Sequence, residues 1–166
     1  MTINRERKEV FMEELYAELL LWYIGFHSSD AYNALLDFKF LKNTGNDIYL
    51  ELECCSSDLL DSMGRFSKYW EYECIDFNPG LFGKRLFSGL KTVYNTNTVE
   101  ISDFGDRCFK LWRMLPDCIS KIEPFQILSY ADEPLSWGDE AQTRQLYENA
   151  FAFYDNGVSK PSNRCL

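Results

Sequence analysis

The sequence predicts a mainly α-helical protein, a single compact domain of five to seven helices over residues 1–157 followed by a polar tail at 158–166. Three observations carry that expectation. Apolar residues recur at steps of three and four through most of the 166-residue chain, which is the spacing of one helix face. Pro, Gly and Asn gather between those stretches, where helices stop and turns begin. Hydrophobic residues make up 46% of the chain and aromatic ones 16%. A chain this long buries roughly 70% of its unfolded surface, so a core forms without help from disulfides or metal.

The elements follow in order. Residues 8–26 place Val10, Leu15, Leu19, Trp22 and Phe26 at helical steps, with Glu13, Glu14 and Glu18 among them. Ser28 and Ser29 are N-cap residues for a second helix carrying Ala31, Leu35, Phe38 and Leu41, because a serine oxygen accepts an orphan backbone N–H. Gly45 is suited to its left-handed stop, and Asp47 to capping the next helix. From 47 to 72, Ile48, Leu52, Cys55, Leu59, Met63, Phe66 and Trp70 hold the helical period. That predicts helix, broken near Ser56 and Ser57. The alternation of Ile48, Leu50, Leu52 and Cys54 keeps an edge strand at 48–54 open.

Asn78-Pro79-Gly80 marks a turn into a helix carrying Leu81, Leu86, Leu90 and Val93, which ends before Asn95. Ser102 is the expected cap of a helix with Phe104, Cys108, Leu111 and Trp112, ended by Pro116. Cys118–Ile122 is one further turn or two, and 125–129 is a packed loop or a short strand. Strands at 48–54 and 125–129 together would make the fold α+β. Ser136 and Asp139 resemble a capping box, opening a last helix with Ala141, Leu146, Phe151 and Tyr154 that stops at Asn156-Gly157.

Function classes narrow by exclusion. The longest apolar run is the six residues from Leu19 to Ile24, and a helical membrane span needs about 20. With 17 Lys and Arg against 26 Asp and Glu, a net charge of −9, the chain is short of the cations that phosphate backbones require. MTINRERKEV lacks the apolar stretch of a secretory leader, so a cytoplasmic protein with six reduced cysteines is expected. No cysteine pair has CxxC spacing, and His27 is the sole histidine, so neither a metal site nor a cofactor is expected. His27 follows an apolar helix and is read as a helix-terminal or surface residue. Asn78 and Arg85 stand where a Walker motif needs glycine and a hydroxyl. Acidic pairs such as Glu51 with Glu53 and Asp58 with Asp61 read as solvated helix faces. No catalytic residue is assigned.

Charge is unevenly spread. Residues 11–76 hold 13 acidic and 4 basic side chains, 77–96 hold three basic and no acidic ones, and 97–155 hold 11 acidic against 5 basic. Acidic blocks speed capture of a basic partner, and a bias of this size equally serves solubility alone. The most distinctive segment is 130–140, which sets Tyr130 and Trp137 among Asp132, Glu133, Asp139 and Glu140. Aromatic anchors ringed by charge suit an interface. The favoured expectation for Trp137 is nonetheless inward, with the acids serving the following helix N-terminus.

The runs Leu111-Trp-Arg-Met-Leu-Pro116, Pro134-Leu-Ser-Trp-Gly-Asp-Glu140 and Leu146-Tyr147, in a small, acidic, aromatic-rich chain, resemble the immunity proteins of bacterial toxin systems, including contact-dependent inhibition. The resemblance implies a non-enzymatic protein that binds and occludes a cognate basic toxin domain, often a nuclease, without binding nucleic acid itself. It implies Asp132, Glu133, Trp137, Asp139 and Glu140 as partner-binding residues. The basic segment 77–96 departs from a uniformly acidic face. A helical regulatory or adaptor protein holding a host protein is the alternative. An enzyme using a cysteine or paired carboxylates ranks third, and it requires Cys54 or Cys55 to meet His27 in a pocket.

Overall fold

The computed structural model describes residues 12–72 and 77–155, without the side chains of 69–72. The expected tail at 158–166, the first residues of the first predicted helix, Cys74 and Cys165 lie outside the described residues. The rest is all-α, without a strand among the described residues. It comprises α1 Met12–Tyr23, α2 Ser29–Lys42, α3 Asp47–Cys55, α4 Leu59–Tyr72, α5 Pro79–Thr96, α6 Ile101–Trp112, the single turn α7 Asp117–Ser120, and α8 Glu140–Asp155. Two 3-10 turns, Phe125–Ser129 and Glu133–Trp137, lie between α7 and α8.

Helical period therefore prevails over alternation at 48–54, and α3 and α4 are separated by a break at 56–58, close to the two serines. The segment 125–129 is not a strand either. Its Phe125, Ile127 and Leu128 are buried; Phe125 and Leu128, three residues apart, share one side of the 3-10 turn.

The helix caps differ in detail. Asn46 Oδ1, not Asp47, accepts the Ile48 N–H at 2.9 Å. Ser28 occupies the N-cap of α2 without a side-chain bond, and α2 ends at Lys42, with Asn43 as its C-cap, ahead of Gly45. Glu100, not Ser102, is the N-cap residue of α6. Asp139 Oδ1 caps α8 by accepting from Gln142 N at 3.0 Å, while the Ser136 hydroxyl donates to the Glu133 carbonyl within its own 3-10 turn. The pre-α5 signal holds: Asn78 Oδ1 accepts from Gly80 N and Leu81 N, and Pro79 opens the helix where its missing N–H costs nothing.

Helix α1 is the hub. It packs most extensively on α5 and also meets α2, α4 and α6. Being surrounded, it is buried on nearly every side, Leu15, Ala17, Leu19, Leu20 and Leu21 at 0% exposure. Such a helix cannot be amphipathic, and a hydrophobic run is what it needs. Between α1, α5, α6 and α8 the core is aromatic. Phe104 meets Tyr147 edge to face at 5.0 Å and stacks with Phe26 at 5.3 Å, and Phe82 stacks with Tyr16 at 5.6 Å. Long-range bonds tie the ends of helices to this core: Tyr16 donates to the Met114 carbonyl at 2.9 Å, and Trp112 Nε1 to the Ser120 carbonyl at 2.8 Å.

Helix α8 approaches α5 over Gly83, where an added methyl would overlap the Tyr154 ring. Alanine normally gains about 1 kcal/mol over glycine inside a helix. At this crossing the overlap outweighs that gain, because overpacking costs about 1–3 kcal/mol. Gly83→Ala is expected to lower stability by about 1 kcal/mol, read from urea unfolding midpoints.

A second consequence concerns α2 and α3, where Glu53 faces Asp37. Burial first, and then the hydrogen bond and charge of Asp37, hold the Glu53 carboxyl above its ordinary range. A raised native pKa means that the folded state binds the proton more tightly. That contribution is complete below the ordinary carboxylate range and is lost as pH rises through the raised value. Glu53→Gln is expected to stabilise the protein at pH 7 by about 0.5 kcal/mol. It should also flatten the decline that sets in as pH rises above the ordinary carboxylate range, as chemical denaturation across a pH series will show.

Candidate functional site

Two surfaces concentrate polar chemistry. The first is the corner between the 3-10 turn Glu133–Trp137 and α8. Pro134 is buried and holds the turn to the body of the protein, and Gly138 (φ 79°) supplies the left-handed step that glycine takes without a Cβ penalty. Asp139 then starts α8. The result turns Trp137 outward at 62% exposure, overturning the inward expectation: within this turn Pro134 is the buried residue, and the left-handed step at Gly138 follows directly on the indole.

The five residues singled out by sequence do not share one role. Glu133 is exposed, and its side chain has no ion pair among the described residues. Asp139 is exposed, with Oδ1 committed to the helix cap. Glu140 is exposed and paired with Arg144 at 2.7 Å. Asp132 is half-buried and backs onto α6, where a methyl on Gly105 would lie 2.6 Å from its Cβ. Its charge helps to push the buried Cys108 thiol and Tyr147 hydroxyl upward, second to burial for the first and after burial and Cys108 for the second. The uncommitted groups at this corner are the Trp137 ring, the Glu133 carboxylate and the second oxygen of Asp139.

The second surface is a groove of about 900 Å³ along α5. Helix α1 and His27 wall one side, and the last turn of α8, with Phe151, Tyr154 and Asp155, walls the other. At its centre Glu18 is 4% exposed. Both of its oxygens are engaged: Oε1 accepts from Arg85 Nε at 3.0 Å, and Oε2 faces His27 Nδ1 at 2.8 Å. Arg85 Nη1 reaches Glu14 at 3.4 Å. One turn earlier on α1, the buried Glu13 accepts the Asn78 backbone N–H at 3.0 Å. Glu13 and Glu18 are therefore buried and paired, and His27, just past the end of α1, is a half-buried partner of Glu18. Gly89 permits the close approach, since a methyl there would lie 2.5 Å from Leu21 Cδ1 and 3.4 Å from His27 Cε1.

The sequence carried one signal of this site. Glu18 directly precedes the apolar run 19–24, so a helix burying that run must also bury Glu18, and a buried carboxylate demands a partner. The acid-free segment 77–96 supplies it.

None of the cysteines lines this groove among the described residues. Cys55 and Cys108 are buried, Cys54 and Cys118 exposed, so no Cys–His pair is assembled there. Burial pushes the thiols of Cys55, Cys108 and Cys118 up, away from the thiolate that nucleophilic chemistry uses. No group of three His, Cys, Asp or Glu among the described residues could hold a metal ion, and no described helix is long and apolar enough to cross a membrane.

Removing one partner of a buried ion pair costs about 3–5 kcal/mol, and less where the other partners reach water. Arg85 and His27 are 35% and 26% exposed at their side chains. Glu18→Ala is therefore expected to lose about 2–3 kcal/mol, and Glu18→Gln, which keeps the shape and one acceptor, clearly less; thermal and urea unfolding of the two variants measure the difference.

Comparison with protein-family models, with curated proteins and with solved structures finds no match to this chain, and the two surfaces themselves carry the functional reading.

Proposed function

We propose that this protein is a non-enzymatic inhibitor of the immunity type, which binds a cognate basic toxin domain, such as a nuclease, in the bacterial cytoplasm and blocks it by occlusion. The observation that carries this reading is Trp137, a large aromatic ring 62% exposed on a turn held in place by buried Pro134 and a capped helix. A rigid, exposed indole beside carboxylates is an anchor for a cationic surface: the ring face attracts Arg or Lys, and Trp and Arg dominate binding hot spots. Glu133 and the free oxygen of Asp139 supply charge next to it. The chain's net charge of −9 favours fast capture of a positive partner.

The internal pairing of the basic segment supports this reading. Arg85 is taken up by Glu14 and Glu18, and Lys91 by Asp155. Two of the three cations in 77–96 are thereby neutralised within the fold, so the segment detracts little from an acidic docking surface.

The test uses the product of the gene adjacent to this one as partner, in a catalytically dead form, with binding followed by surface plasmon resonance. Association is expected to slow markedly as salt rises, since exposed charges are screened beyond about 8–10 Å at ordinary ionic strength. Trp137→Ala is expected to weaken binding by about 30-fold, or about 2 kcal/mol, with the thermal midpoint unchanged. A Trp137→Ala variant that binds as tightly as the parent removes this corner from the interface, and absence of any complex defeats the reading.

A further inference from the structure

We propose that the outer face of the α2–α3 hairpin is a docking site for an amphipathic helix of a partner protein, one that sets a Lys or Arg between Asp37 and Glu53. This surface is separate from the Trp137 corner, and the inference does not depend on that corner. Helices α2 and α3 pack on each other across the short turn 43–46, so they run antiparallel. The meeting of Asp37 with Glu53 fixes their register. Leu41 lies one helical turn from Asp37 toward the connection, and Leu50 one turn from Glu53 in the same direction. The two leucines therefore stand at nearly the same height. Both face solvent, Leu41 at 74% and Leu50 at 51% exposure, and Phe38 beside Asp37 stands at 54%. The inward positions of these helices are filled by Tyr32 and Leu36, and by Tyr49 and Leu52. The core is thus complete without this second apolar row, and an exposed row of large apolar side chains marks an interaction surface.

Charge says what kind of partner fits. Asp37 and Glu53 are carboxyls set against each other, and no Lys or Arg pairs with either among the described residues. Glu53 Oε1 is buried and receives no hydrogen bond, and neither does Asn33 Oδ1, one turn before Asp37 on α2. Burial, and then the hydrogen bond and charge of Asp37, hold the Glu53 carboxyl above its ordinary range. Nearby cations are engaged elsewhere. Lys42 lies over the Phe38 ring at 4.1 Å, Arg65 reaches Glu51, and Lys39 interacts with Glu13 and Glu14 of α1. What the face lacks is a donor bearing positive charge with an apolar stem. A partner's Lys or Arg is that group, its methylenes lying on the leucines and its head between the acids. A helix suits the shape, because two packed helices leave a furrow that takes the apolar stripe of a third. A second copy of this chain is the wrong occupant: at a net charge of −9 it brings more acid to the face, and like charge opposes association.

The experiment titrates the ¹⁵N-labelled full chain with an acetylated, amidated peptide of about 14 residues, built of Leu and Lys with Leu at helical steps, and with its twin carrying Glu for Lys. The Lys peptide is expected to bind saturably, with shifts concentrated on α2 and α3, and the Glu twin not to bind. Leu50→Ser, at an exposed position, and Glu53→Gln are each expected to weaken binding by about fivefold or more. Asp117→Asn, which removes an exposed acid on α7, is expected to change it by less than about twofold. The proposal is overturned if the Lys peptide does not saturate, if its shifts centre outside α2 and α3, or if the Glu twin binds equally well. It is also overturned if Leu50→Ser or Glu53→Gln binds as the parent does, or if Asp117→Asn weakens binding as much as Glu53→Gln. Sedimentation of the free protein is expected to show a monomer; self-association that Leu50→Ser abolishes assigns the face to a second copy and defeats the proposal.

Discussion

The carboxylate of Glu18 is the constraint around which this molecule is arranged. A helix packed on α2, α4, α5 and α6 has no solvated face on which to carry charge, yet α1 carries Glu13 and Glu18 at 6% and 4% exposure. Burying an unpaired carboxylate is prohibitive. Each acid must therefore be met by something that folding brings to it. Glu13 receives the backbone N–H of Asn78 at the entrance to α5, and Glu18 receives Arg85 two turns further on and His27 from the loop after α1. Two bonds along one helix fix both the height and the rotation of α5 against α1, which apolar packing alone leaves looser. Buried ion pairs contribute little net stability compared with a hydrophobic filling. Their effect here is to select a single register, and Gly89, bare of a side chain, lets Leu21 and His27 close on α5.

Most helices were legible from their period because they bury one stripe and expose another, but in α2 the expected face of Ala31, Leu35, Phe38 and Leu41 is not the buried one: Tyr32 and Leu36 are buried while Phe38 and Leu41 stand exposed. Phe104, Cys108 and Leu111 on α6, and Phe82, Leu86 and Leu90 on α5, are spaced three or four residues apart and are all buried. Caps were legible as neighbourhoods but not as atoms. Asn46 and Asp47 are both competent acceptors, and so are Ser136 and Asp139; which one bonds the helix depends on where the backbone leaves its turn, a matter of φ and ψ that composition does not encode. The groove was hidden for a different reason. Glu18 and Arg85 are 67 residues apart, and local spacing is blind to a contact formed by packing α1 on α5. Trp137 was misjudged because an aromatic residue beside Pro and Gly fits a packed loop as well as an exposed turn. The left-handed step at Gly138 and the burial of Pro134 decide the matter.

The spread of charge along the chain acquires meaning only once folded. The basic stretch 77–96 looks like an interruption of an acidic protein, yet it is where α5 meets the acids of α1 and α8. Arg85 and Lys91 are consumed in internal pairs. Elsewhere acids meet bases mainly one turn apart, as Asp103 with Arg107 and Glu140 with Arg144, an arrangement that steadies exposed helices by a few tenths of a kcal/mol. The excess of carboxylates is thus left to the outer surface, where it raises the rate of encounter with a positive body without straining the core.

Helix α8 connects the two surfaces. Its first residue, Glu140, adjoins the Trp137 corner, and its last, Asp155, closes the groove over α5. At 1.5 Å per residue these ends are about 22 Å apart, farther than the screening length of roughly 8 Å at physiological ionic strength. Charge introduced at one end is therefore felt weakly at the other through solvent, and any influence between them must pass through the helix and its packing. That packing is continuous along its length: Tyr147 and Phe151 interlock with Tyr94 and Phe104 midway, and Tyr154 rests on Gly83 at the far end. An anchored rod of this kind holds an exposed ring at one end and a polar groove at the other in fixed relation.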